Sequence, residues 1–131
     1  MSFALDVSKF VEKAKKNPEK IMRQVSIKLF SAIIKASPVD TGRFRMNWMA
    51  SGGTPAFGTT DATDKSGNTA TGNATSFVLK AADWRDFTLT NNLPYAQRLE
   101  YGWSQQAPQG FVRVNVSRFQ QLINEEANKV K

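Results

Sequence analysis

The sequence predicts an α+β fold: N-terminal helices, a small antiparallel sheet with a long flexible loop or hairpin, and a C-terminal helix packed on the sheet. Three observations predict it. Apolar residues recur at spacings of three and four before Ser37 and again after Gly110. Between Phe44 and Ala50 the apolar period drops to two. A polar tract over 51–75 then separates this stretch from a second alternating one. With 131 residues the chain suits one domain, 1–131, with a helical part at 1–36.

Taken in order, Phe3, Val7, Phe10, Val11 and Ala14 predict a short amphipathic helix over 3–16. Asn17, Pro18 and Glu19 are a helix start: a capping side chain, a ring suited to the first turn, and an acid at the positive end of the dipole. The second helix runs to about Ala36 on a stripe of Ile21, Val25, Leu29, Ala32, Ile33 and Ala36. Met22, Ile27, Phe30 and Ile34 widen that stripe, so burial on two sides is expected, in part by another subunit. Pro38 ends the helix. Phe44, Met46, Trp48 and Ala50 then mark a strand over 43–50.

The tract 51–75 is dominated by Gly, Ser, Thr, Asn and Asp, with Phe57 its large apolar residue. It is long for a connection in a small domain, and is read as a hairpin, an inter-subunit arm or a disordered segment. Asp61, Thr63 and Lys65 do not supply the alternating oxygens of a calcium loop. Residues 75–82 read as a short helix, 84–91 as a second strand, and Pro94 to Gly102 as one or two helical turns. Val112, Val116, Phe119, Ile123, Ala127 and Val130 outvote the local alternation of "FVRVNV" and predict a helix over about 110–129.

Composition narrows the function. The chain has no Cys and no His. Ser–His and Cys–His nucleophile systems, thiolate metal sites and disulfides are therefore ruled out. No cofactor or metal is expected. Mean hydropathy is −0.42 and no apolar run approaches a membrane span, so a soluble chain with no membrane partner is expected. "MSFALDVSKF" lacks the basic start and apolar stretch of a signal peptide. The net charge of +7 is lopsided: residues 1–50 hold ten Lys or Arg against four Asp or Glu. Solvated helix faces account for such an excess, and so does an acidic partner.

Asp40-Thr41-Gly42 is the triplet of aspartic proteases, which need two carboxylates sharing a proton. Here it follows a helix end and precedes Arg43 and Arg45, whose charge opposes proton sharing. The expected role is structural. Pro38, Asp40, Thr41 and Gly42 form a turn in which Asp40 bonds the local backbone and Gly42 takes positive φ. No catalytic residue is assigned.

"SPVDTGRFRMNW" (37–48) and "TNNLPYAQRLEYGWSQQAPQGFVRVNVSRFQQL" (90–122) together resemble the two motif blocks of a family of tailed-bacteriophage neck and tail-completion proteins. The resemblance implies a small α+β structural virion protein without enzymatic activity. It further implies a location at the head–tail junction after synthesis in the host cytoplasm, and a homo-oligomeric ring, hexameric by family likeness. Adjacent neck and tail-tube proteins would be its partners, and the exiting viral DNA could be contacted non-specifically. Completion, terminator and stopper positions all remain open.

The residues themselves offer candidate contacts for assembly. Tyr95, Tyr101 and Trp103 cluster beside Arg98 and Glu100, a composition typical of interface hot spots. Tyr95 and Leu99 are equally suited to the core. Glu100 is expected to pair with Arg43 or Arg45, within or between subunits. Phe57 is the candidate contact of the loop. The alternative class is a small basic nucleic-acid-binding protein, drawing on Lys9, Lys13, Lys16 and Lys20 at helical spacing and on Arg43 and Arg45 on one strand face. No zinc, RNP-like or recognition-helix motif accompanies them.

Overall fold

The computed structural model describes residues 3–6, 18–107, 109–118, 121 and 125. In chain order these form β1 (Phe3–Asp6), α1 (Pro18–Ala36), α2 (Arg43–Met46), β2 (Trp48–Ser51), α3 (Asn68–Lys80), β3 (Thr88–Asn91), α4 (Ala96–Arg98), a π turn (Leu99–Trp103) and α5 (Val112–Val116). The class is α+β.

Helix α1 is the spine. Ile21, Met22, Val25, Leu29, Phe30, Ile33 and Ile34 are all 0–1% exposed. Each such side chain contributes about 1.5–3 kcal/mol by leaving water. Of the residues that widen the stripe, Met22, Phe30 and Ile34 are buried within the chain and Ile27 is half-buried. Helix α3 lies along α1 and brings Ala70, Ala74 and Val78, and α5 packs on α1 with Val112 in the same core. α1 and α3 run antiparallel. Arg23, early in α1, donates to Val78 O at 2.6 Å and Ala81 O at 2.8 Å, while Lys35, near its end, reaches Asn68 at the start of α3. Arg23 thereby satisfies carbonyls that the last turn of α3 leaves without helical partners.

The sheet has three strands in the order β1-β3-β2, both pairings antiparallel. Trp48 faces Asn91 and Ser51 faces Thr88 across β2–β3, while Phe3 faces Asn91 and Asp6 faces Thr88 across β1–β3. The third strand therefore comes from Phe3–Asp6, where the apolar spacing predicted a helix. The remainder of that predicted helix, 7–16, lies outside the described residues. As central strand, β3 is buried at all four positions.

Other boundaries move for identifiable reasons. Arg43–Met46 forms a helical turn and not the first half of a strand. Met46 N–H donates to Gly42 O and Asn47 N–H to Arg43 O, so extension begins only at Trp48. The second strand begins at Thr88 and not at residue 84, because Asp83 accepts the Arg85 N–H at 3.0 Å in a tight turn. Residues 68–75, read as loop, are the first half of α3. The turns around Pro94–Gly102 are present and end at Gly102 with φ 97°. Of the helix predicted over 110–129, Val112–Val116 is helical, as are residues 121 and 125; the rest lies outside the described residues.

Candidate functional site

The two motif blocks meet in space. Between them lies a cleft of about 250 Å³ lined by Pro38, Val39, Asp40, Thr41, Gly42 and Phe44 from the first block. Tyr95, Leu99, Ser104 and Gln106 line it from the second. Its floor is aromatic: the Phe44 ring lies 6.0 Å from Tyr95 and 5.5 Å from Phe111, centroid to centroid. Gln106 joins the walls like an added strand, its amide donating to Val39 O at 2.7 Å and accepting Val39 N–H at 2.8 Å. Deeper in, Asn91 Nδ2 donates to Phe44 O at 2.9 Å while its Oδ1 accepts Leu93 N–H.

Asp40-Thr41-Gly42 is a turn on the rim of this cleft. Thr41 Oγ1 accepts the Arg43 N–H at 3.1 Å, so Thr41 makes the side-chain bond expected of Asp40, which is exposed. Gly42 has φ 92°, and a Cβ there would stand 2.5 Å from Lys65 N. Asp40 is the one acid among the described lining residues, whereas proton-sharing chemistry requires two.

The arginines do not share a strand face. Arg45 is a clamp, donating to Lys35 O at 2.8 Å, Ser37 O at 3.0 Å and Lys65 O at 2.7 Å. One planar guanidinium ties the open end of α1 to the tract before α3. Partial burial lowers its pKa from the ordinary arginine value, and nearby Asp64 opposes that shift. Arg43 holds the loop, donating to Thr60 O at 3.1 Å and pairing with Asp61 at 3.3 Å.

Glu100 meets neither of them. It is 1% exposed and sits at the start of α5. Oε1 accepts the N–H groups of Phe111 at 2.7 Å and Val112 at 2.9 Å, while Oε2 accepts that of Arg113 at 2.7 Å and its guanidinium at 3.2 Å. The carboxylate satisfies backbone donors that the helix cannot. No local pattern announces this cap, because its partners lie 11 to 13 residues downstream.

Asp64 does the same for α3, accepting Gly67 N–H at 3.2 Å and Ala70 N–H at 2.9 Å. It lies in the tract 51–75, where an acid a few residues before a helix is the signal that sequence reasoning missed. Burial alone raises a carboxyl, but the N–H groups of Ala70, Gly67 and Thr69 and the Ser66 hydroxyl outweigh it. They hold Asp64 below the usual aspartate value.

The remaining candidates scatter. Tyr95 is half-buried in the cleft wall and Arg98 is exposed on α4. Tyr101 is 66% exposed beneath the Arg113 guanidinium, 4.6 Å from the ring centroid. The Trp103 side chain lies outside the described residues. Phe57 is 91% exposed. Among the described residues there is no cluster of acids placed to hold a metal ion, and no helix long and apolar enough to cross a membrane. Comparison with family models, curated proteins and solved structures gave no match.

Proposed function

We propose that this chain is a structural, non-enzymatic subunit of the head–tail junction of a tailed bacteriophage, a neck or tail-completion component that works as a homo-oligomeric ring in the virion. The observation that carries the reading is the joining of the two family-like blocks. Ser37–Trp48 and the segment from Thr90 onward form the walls of one cleft, tied by the Val39–Gln106 and Phe44–Asn91 bonds. Their polar side chains hold backbone in place: Arg45 on carbonyls, Glu100 on a helix start, Asn47 on Thr60. Residues so used build a rigid subunit whose surface meets neighbours, in keeping with a structural part.

The nucleic-acid alternative draws less support. Arg43 and Arg45 are committed to carbonyl oxygens and to Asp61. Lys9, Lys13 and Lys16 lie outside the described residues.

Native mass by light scattering across a concentration range, in moderate salt, tests the reading. A discrete species several times the 14.6 kDa chain supports a ring subunit. A monomer that binds duplex DNA with affinity falling steeply in salt would favour the nucleic-acid class.

A further inference from the structure

Among the described residues two exposed apolar features remain, and they sit at opposite ends of the α1–α3 pair. One is Phe57, 91% exposed on an anchored loop. Asn92 Nδ2 donates to Ala56 O at 2.9 Å and to Gly58 O at 3.2 Å, gripping the chain on both sides of the ring. Asn47 takes Thr60 through two bonds, and Arg43 takes Thr60 and Asp61. Four residues of a polar loop, Ala56, Gly58, Thr60 and Asp61, are thus fastened so as to hold one aromatic side chain in water.

The other is the last turn of α3. Phe77 is 36% and Leu79 60% exposed. Beside them Ser76, Phe77, Lys80 and Ala81 line a hollow of about 240 Å³. The Phe77 ring rests edge-on against buried Phe87, so the hollow has a rigid floor. The 13 residues of α3 put roughly 18 Å between its two ends. The loop is fastened by residues beyond the C-terminus of α1, whereas the hollow lies where Arg23 meets α3, near the start of α1. Charges complement as well: Asp61 beside the knob keeps 97% of its side chain exposed while it pairs with Arg43 at 3.3 Å, and Lys80 borders the hollow.

We propose that Phe57 of one copy of this chain docks in the Phe77–Ala81 hollow of a second copy, joining subunits head to tail. A knob and a hole at opposite ends of one molecule make a heterologous contact, which closes into a ring or propagates. The inference rests on the reading of the chain as a self-assembling subunit and adds which two surfaces touch.

The test uses two variants of the full chain. Phe57→Ala removes the knob, and Ser76→Arg fills the hollow; both positions are outside the sealed core, and circular dichroism checks folding. Expected is an oligomer larger than a dimer for the wild type and a monomer for each variant, with self-association weakened about 30-fold or more, as for an interface hot spot. Mixed one to one, the variants have one good knob and one open hole between them, so the mixture should stop at a dimer. If the wild type assembles and Phe57→Ala assembles equally well, this contact is wrong while the ring reading stands. Variants that stay monomeric on mixing overturn it too, as does a wild type monomeric up to millimolar concentration.

Discussion

The carbonyl of Gly42 accepts the N–H of Asp64 at 2.9 Å, and a Cβ on Gly42 would stand 2.7 Å from that same nitrogen. The third residue of the Asp-Thr-Gly triplet is there because two backbone segments touch. Gly42→Ala combines a left-handed φ with this clash, and should cost about 3 kcal/mol in urea unfolding. Asp40→Asn, on the exposed rim, should change stability by less than about 0.5 kcal/mol. The reverse ranking would return the triplet to a role centred on its carboxylate.

Arg45 joins three carbonyl oxygens from two segments. Arg45→Ala should cost about 2–3 kcal/mol, since charged hydrogen bonds are lost at a helix end. Arg45→Lys should recover little of this, because one ammonium cannot reproduce the planar fork. A lysine variant as stable as the wild type would mean that charge alone suffices there.

Asp64 sets a pH dependence. Its carboxyl is held below the ordinary value in the folded state, so its contribution is full above about pH 4 and disappears as pH falls through the folded value. The stability gap between wild type and Asp64→Asn should therefore be widest at neutral pH and narrow below about pH 4. Denaturant midpoints at several pH values read this directly. A gap independent of pH would show that the Asp64 charge does not hold α3.

Glu100 is a folding residue before it is an assembly residue. Glu100→Ala strips partners from three N–H groups and from the Arg113 side chain, and should cost about 3–5 kcal/mol. Reversal to Lys should prevent α5 from docking at all, so it reports on folding and not on subunit contacts. A Glu100→Lys protein with wild-type unfolding and impaired assembly would restore the interface reading.

Much of this was legible locally. The stripe of α1, its stop at Pro38, the glycine turn and the pairing of the stretch ending in Ala50 with the one ending in Asn91 follow from periodicity and from what Pro and Gly permit. The first half of Asn68–Lys80 reads as loop because Thr69, Thr71, Gly72, Asn73 and Thr75 are weak helix formers; Ala70, Ala74 and Val78, spaced by four, become a helix by packing on α1. Arg43–Met46 alternates like a strand, yet hydrogen bonds back to Gly42 and Arg43 coil it.

By itself the sequence determined the class of fold, the absence of His and Cys chemistry and the two blocks on which the proposed function rests. Those depend on residue identity and on periods within one element. Tertiary structure decided the partners: Glu100 with the start of α5, Arg45 with the end of α1, Asp64 with the start of α3, and the display of Phe57 away from the core. A charged or aromatic side chain can meet many groups at a distance along the chain, and only the packed backbone settles which of them lies within about 3 Å.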